Sequence, residues 1–361
     1  MIRNKSSKNK KNKYTKKIEY YKNKSNMLQF LENQNNSNFK EKFELLNYIN
    51  SGSTGVVYEG FYRKNHNKPV CLKFIINKLH ENKKEKNYDR DKDINIQKKL
   101  KNKNIIEYYE YIDLENISCI AMEFAKYGDL DNFRKILNKT RHFSETLLAF
   151  IAFQILNGLQ FIHESEMIHM DIKPQNILFD ENLNIKITDF SISMPYKISD
   201  KNSKKIILPL SGTCLYMSPE VLSGESVDYE ECNKIDIFSF GVVLYNLAFD
   251  EFPYGLDYSY VNQFDLILNK IRYENLIIPE RRNYSLLFKN FLMSLLNKNI
   301  KNRINIYEAL EHPWIEGAKI LFKEKEKIRD LEKFLLNLVT DNVRSFNDYI
   351  KNYNNINGIN G

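Results

Sequence analysis

Ordered patterning of apolar and polar positions begins near Phe39, where FELLNYINSGSTGVVYEGFY predicts a strand, a glycine-containing turn and a second strand. PVCLKFII, from Pro69 to Ile76, reads as another strand, and DINIQKKL, from Asp93 to Leu100, as a helix. Two more strand-like runs follow, ending in SCIAMEF. After Phe124 the period changes. SETLLAFIAFQILNGLQFIHES, from Ser144 to Ser165, predicts a long apolar helix capped by Ser144. IDIFSFGVVLYNLAF is apolar nearly all round, the mark of a helix buried at the centre of a fold. Further helical patterns run over 286–296 and 304–310. The order predicts an α+β chain, with a small β-rich lobe over 40–124, a larger helical lobe over 125–316 and a helical extension over 317–361.

Composition changes this picture mainly at the N-terminus. The chain has 361 residues, 42% hydrophobic and 28% charged, with a formal charge of +8. Much of that charge lies in MIRNKSSKNKKNKYTKKIEYYKNK, and residues 1–39 are therefore expected to be a basic, low-complexity, disordered tail. A nuclear-import or polyanion-binding patch is the sharper alternative, and nucleic acid is not an expected partner. Four scattered cysteines, Cys71, Cys119, Cys214 and Cys232, have no C-x-x-C spacing, so neither a disulfide framework nor a zinc site is expected. No uninterrupted apolar run approaches the roughly 18 residues of a membrane span, and no signal-peptide core or myristoylation glycine opens the chain. A soluble, intracellular, cytoplasmic protein is expected, with a nuclear location left open.

Several residue types then suggest chemistry. Gly52 and Gly55 lie between two strands, where missing Cβ atoms let backbone N–H groups approach a phosphate, although a glycine-bearing hairpin is more often only a turn. Lys73 is a lone charge in an apolar strand, which is costly to bury unless it meets an anion, and Asp93 on the next helix is a candidate partner. In IHMDIKPQN, Asp171 offers a carboxylate to take a hydroxyl proton, Lys173 a cation for a migrating phosphoryl group, and Asn176 an amide oxygen for a metal. Asp189, in ITDFS, adds a second metal-binding oxygen. Hard oxygen ligands of this kind suit Mg²⁺, with Mn²⁺ as a substitute.

The ordered set GSTGVV, VCLK, HMDIKPQN, DFS, GTCLYMSPE and DIFSFG resembles the eukaryotic protein kinases, over roughly residues 40 to 316. The resemblance implies a bilobal kinase fold and roles for matched positions. Lys73 would hold the α and β phosphates of ATP, Asp171 would be the catalytic base, and Asn176 and Asp189 would hold Mg²⁺. The loop Ile49, Asn50, Ser51, Gly52, Ser53, Thr54 and Gly55 would cover the phosphates. Val57 and Leu178 would enclose the adenine beside Cys71 and the gatekeeper Met122, with Glu123 and Ala125 as the hinge and Asp129 at the ribose. Glu220 would pair with Arg303, and Asp236 would brace the catalytic loop. Lys173 with Thr213 is similar to the serine/threonine type, so proteins bearing Ser or Thr are the implied substrates. Gln175 and Asn246 stand where arginine-seeking relatives carry Glu, which argues against a basic substrate motif.

The chain departs from the family pattern at Asn50, Asp93, Met170 and Ser191. Asn50 replaces a loop glycine and tolerates positive φ better than most residues. Asp93 shortens the arm toward Lys73. Ser191 replaces a glycine, removing an easy route to positive φ. Met170 replaces the arginine that clamps a phosphorylated activation segment in many relatives, and Pro209 stands where the phosphate is often carried. An active kinase independent of that phosphate is expected. The alternative is a pseudokinase, a nucleotide-binding scaffold. The extension, with Ile320, Ile328, Leu331, Leu335 and Leu338 near one helical face, either packs on the large lobe or serves a regulatory partner.

Overall fold

In a computed structural model, the described residues are 15–33, 37–52, 55–76, 96, 98–114, 117–140, 142–196, 204–280 and 282–323. The chain divides into two compact units, residues 1–101 with 106–125, and residues 102–105 with 126–361.

The smaller unit is built on five antiparallel strands: Phe43–Ser51 (β1), Gly55–Tyr62 (β2), Asn65–Ile76 (β3), Tyr108–Leu114 (β4) and Ile117–Glu123 (β5), in the order β1-β2-β3-β5-β4. The alternation read from the sequence sets its faces. Tyr58, Leu72 and Ala121 form one cross-strand row, Val56, Phe74 and Cys119 the next, and all six are buried in the unit's core. The intervening residues, Val57, Lys73 and Ile120 in one row and Glu59, Cys71 and Met122 in another, face the other way.

The expected disorder of residues 1–39 is corrected over the part that is described. Residues 15–22 (α1), Lys24–Asn33 (α2) and Ser37–Lys42 (α3) are helical. Ile18, Met27, Leu31 and Phe39 are buried in the same core as β1 to β3, with Tyr21 and Phe30 packed against it. Each such aliphatic or aromatic burial stabilises by roughly 1.5–3 kcal/mol, enough to offset the low apolar content of the surrounding Lys and Asn. Tyr58, itself buried, donates its hydroxyl to the Tyr21 carbonyl at 2.7 Å and shares it with the Lys22 carbonyl at 3.1 Å. Those are end carbonyls of α1, which have no partner within the helix. The helix expected over Asp93 to Leu100 is described only at residues 96 and 98–100, of which 96, 98 and 99 are helical, and Asp93 lies outside the described residues.

The larger unit contains Leu130–Thr140 (α4), Glu145–Glu164 (α5), Pro219–Ser223 (α6), Lys234–Phe249 (α7), Phe264–Tyr273 (α8), Leu286–Leu295 (α9), Ile306–Glu311 (α10) and Pro313–Lys323 (α11). The Ser144 side chain caps α5 by accepting from the Leu147 N–H at 3.2 Å. By length and composition α5 could cross a membrane, contrary to the reading of its apolar run, but most of it is buried inside the unit, as a core helix is. Every residue of α7 is buried, which is why its sequence shows no polar face. Trp314 at the start of α11 packs on Phe288 and Phe291 of α9 and donates its indole N–H to Glu145 at 2.9 Å. The extension beyond Lys323, with Ile328, Leu331, Leu335 and Leu338, lies outside the described residues.

Candidate active site

In the large unit two short ribbons carry the loops singled out by sequence. Met167–Ile168 (β6) pairs with Met194–Pro195 (β9), and Ile177–Phe179 (β7) with Ile185–Ile187 (β8). The loop 169–176 therefore runs from β6 to β7, and the turn 188–193 from β8 to β9. The two are stitched together. His169 Nε2 donates to the Thr188 carbonyl at 3.0 Å, Thr188 N–H to the Asn176 carbonyl at 3.0 Å, and Ser193 Oγ to the His169 carbonyl at 3.0 Å. Because His169 Nδ1 accepts from the Asp171 N–H at 3.2 Å, the ring's proton lies on Nε2. Phe190, fully buried, packs its ring edge-on to His169 at 5.0 Å.

Beneath the loop lies Asp236, at the first turn of α7 and wholly buried. It accepts from the backbone N–H groups of His169 at 2.9 Å and Met170 at 3.0 Å, and lies 3.0 Å from His163 Nε2. Burial alone would raise its carboxyl, but the His163 hydrogen bond, the two nearby imidazoles and the His169 amide outweigh it and hold the group below the usual carboxylate range. Met170 is thereby locked at φ +70, a left-handed conformation few L residues adopt unless the surroundings impose it. Its side chain is buried, so an apolar group fills this place.

Asp171 collects four hydrogen bonds on its two oxygens. Oδ2 accepts from Lys173 Nζ at 2.6 Å and Asn176 Nδ2 at 3.0 Å, and Oδ1 from Thr213 Oγ1 at 2.9 Å and Thr213 N–H at 3.0 Å. Lys173 Nζ also reaches Thr213 Oγ1 at 2.8 Å. Thr213 gets there through Gly212, whose φ is +111 and whose position admits no side chain: a Cβ would lie 2.8 Å from the Met170 carbonyl. Asn176 spends its two amide N–H bonds on the Asp171 carbonyl and carboxylate, so the oxygen left for a cation is Oδ1. Asp189 stands at φ +67. The left-handed residue of this turn is thus Asp189, whereas Ser191 takes no positive φ, and its lost glycine costs nothing in this conformation.

The other expected positions divide similarly. Asn50 continues β1 opposite Val57, takes no positive φ, and accepts the Ser51 N–H on its own side chain. Ile49 is exposed, and the turn is closed by Gly52 N–H on the Gly55 carbonyl at 3.0 Å; Ser53 and Thr54 lie outside the described residues. Gly55 has a reason of its own, since a Cβ there would fall 1.9 Å from the Phe74 carbonyl of β3. Val57, Cys71, Lys73 and Met122 share one face of the small unit's sheet. Burial pushes the Cys71 thiol up to about 12, with the Lys73 charge pulling the other way. Glu123 N–H donates to the Glu107 carbonyl at 2.8 Å, and Ala125 is half-buried just beyond β5. In the large unit Asp129 pairs with Leu178 in an isolated bridge and caps α4, accepting from Asn132 N–H and Nδ2 at 2.8 Å each. Glu220 and Arg303 form a bidentate buried pair at 2.6 and 3.1 Å, and Arg303 also donates to the carbonyls of Lys234 and Asn297.

Sequence reasoning passed over His163, Thr188, Ser193 and Gly212, which organise the loop without touching its chemistry. Only Gly212 left a signal, a glycine directly before Thr213.

Residues 43–315 match the protein kinase domain family. The chain is 30% identical over 284 residues, 77% of its length, to serine/threonine-protein kinase TIO of Arabidopsis thaliana, covering 19% of that protein. It is 30% identical over 309 residues, 83% of its length, to the MAP kinase kinase MKK1/SSP32 of Saccharomyces cerevisiae, covering 57% of it. Serine/threonine-protein kinase pakH of Dictyostelium discoideum is 31% identical over 277 residues, 77% of the chain and 50% of pakH. The chain thus spans less than two thirds of each of these relatives. A five-stranded antiparallel sheet followed by a helical unit, and a family match covering most of the length, agree with the ordered motifs: the chain belongs to the eukaryotic protein kinase superfamily.

Proposed function

We propose that this chain is an Mg·ATP-dependent serine/threonine protein kinase that works without a phosphate at the usual activation-segment position. The observation that carries the reading is the bridge of Lys173 Nζ to both Asp171 Oδ2, at 2.6 Å, and Thr213 Oγ1, at 2.8 Å. It sets a carboxylate able to take a substrate hydroxyl's proton beside a cation able to offset charge on the migrating phosphoryl group, with the Thr213 hydroxyl bonded to both.

In the proposed reaction the substrate hydroxyl gives its proton to the Asp171 carboxylate as its oxygen bonds to the γ-phosphorus. The bond from that phosphorus to the bridging oxygen breaks, and ADP leaves. Lys173 offsets charge on the migrating group, and Thr213 fixes the carboxylate's orientation. Among the described residues no group of three or more His, Cys, Asp or Glu is gathered to hold a metal. Mg²⁺ commonly takes one or two protein oxygens, and Asn176 Oδ1 and Asp189 are the residues that would hold it. When bound, the ion would supply positive charge that offsets the negative charge of the reacting phosphates.

Independence from phosphorylation rests on two residues. Met170 is buried and uncharged, so it offers a phosphate no partner, and Pro209 has no hydroxyl to modify. ATP use and four unpaired thiols fit an intracellular setting.

Transfer of labelled phosphate from ATP to a generic protein substrate tests the enzyme reading. Asp171→Asn should lower it about 10²- to 10⁴-fold, the usual worth of a general base. Equal signals from wild type and variant would leave only a nucleotide-binding scaffold.

A further inference from the structure

Among the described residues between Pro195 and Thr213, the activation segment contains one short strand, Lys205–Ile207 (β10), which pairs antiparallel with Ser226–Asp228 (β11) in a ribbon of its own. The register is Lys205 with Asp228, Ile206 with Val227 and Ile207 with Ser226, and Tyr229 N–H donates to the Lys204 carbonyl at 3.1 Å. Antiparallel pairs alternate between hydrogen-bonded and non-bonded. Since 204 and 229 are bonded, 206 and 227 are the next bonded pair, while at 205 and 207 the backbone groups point away from β11.

The two strands differ in how they are held. Shortly before β11, Glu220 in α6 is locked by Arg303. Soon after it, α7 begins and carries the buried Asp236, and Val227 itself is buried. β10 is less buried than β11: Lys205 and Ile207 are exposed, Ile207 to 69%, and Ile206 is half-buried. From its end the chain passes through buried Leu208, a tight contact of Ser211 N–H with the Pro209 carbonyl at 2.8 Å, and Gly212, to Thr213 on Asp171.

We infer that the β10–β11 ribbon does for this chain what a bound phosphate would do, holding the segment that leads to Thr213 by backbone hydrogen bonds to an anchored strand. The inference rests on the kinase reading for its effect on catalysis. The ribbon itself can be judged without it. Ile206 is the positioning residue, acting through its backbone. The arrangement suits a segment lacking both a cation at position 170 and a hydroxyl at position 209.

The register supplies its own control. Proline at 206 removes a ladder N–H, whereas proline at 207 removes one that faces away. The full chain is compared as wild type, Ile206→Pro, Ile207→Pro and Tyr229→Pro. The last breaks the neighbouring bond from the β11 side, so that a folding defect peculiar to one variant cannot decide the result. Amide hydrogen exchange over residues 204–213 and labelled phosphate transfer are measured on each, with the melting midpoint as a check of folding. Ile206→Pro and Tyr229→Pro should lose exchange protection over this stretch and transfer phosphate roughly tenfold more slowly, the worth of about one net hydrogen bond. Ile207→Pro should stay within about twofold of wild type, since its ladder bonds are intact. Unchanged protection in Ile206→Pro, or lost protection with unchanged transfer, overturns the inference. If wild type transfers nothing, the kinase reading falls, and the exchange contrast between positions 206 and 207 alone decides whether the ribbon orders the segment.

Discussion

In each unit a buried polar side chain grips another segment's backbone, and the two grips differ in kind. In the large unit the Asp236 carboxylate accepts two N–H groups of the loop 169–176 and lies against His163. In the small unit the neutral Tyr58 hydroxyl is shared between two carbonyls at the end of α1. A buried charge without its partners costs far more than a buried hydroxyl. The loop 169–176 is therefore held by a contact that is costly to lose, and the helical cap by one of several comparable contributions. The loop is tied to a buried charge, and the cap that completes the small unit's core relies on apolar burial.

That contrast can be broken most severely at the charged end. Arg303→Met leaves Glu220 buried without its guanidinium and should destabilise the protein by about 3–5 kcal/mol, read from chemical denaturation. Replacing both partners with apolar residues of similar volume should recover much of that loss. Asp236→Ala removes an acceptor from two buried N–H groups and from His163, and a loss of about 3 kcal/mol or more is expected, with phosphate transfer lost as the loop relaxes.

Acid sharpens the comparison. The Asp236 carboxyl is held below its ordinary value of 3.8 in the folded state. Its contribution is therefore fully present above that value and is lost as pH falls from there through the lower folded value. Denaturation midpoints of wild type and Asp236→Asn measured between about pH 2 and 6 should converge as pH falls; parallel curves would mean that the carboxylate is not the brace. Tyr58→Phe should show the smallest effect, about 0.5–1.5 kcal/mol at any of these pH values, because it removes one neutral hydrogen bond and leaves the packing of Met27, Leu31 and Phe39 intact.

The two regions also differ in how far they could be read from the sequence. Asp171, Lys173, Asn176 and Asp189 stand out because chemistry demands particular residue types at short fixed spacings, and α5 and α7 because burial leaves a long periodic trace. The cap was hidden because Ile18, Met27, Leu31 and Phe39 are diluted among Lys and Asn, and a composition average cannot see which few side chains are buried. The β10–β11 ribbon was hidden for another reason: a three-residue strand has too short a pattern to distinguish it from a loop. Whether a missing glycine matters at Asn50 or Ser191 depends on φ, which a sequence does not carry; φ is positive at neither residue in this conformation, and the sharp turn falls at Asp189.

The most direct test of the account is labelled phosphate transfer from ATP by wild-type protein treated with a broad-specificity phosphatase, the phosphatase then removed and the loss of phosphate verified by mass. Retention of most of the untreated activity is the predicted result, since Met170 and Pro209 leave no phosphate clamp to lose. A large fall in activity, recovered on rephosphorylation, would contradict it.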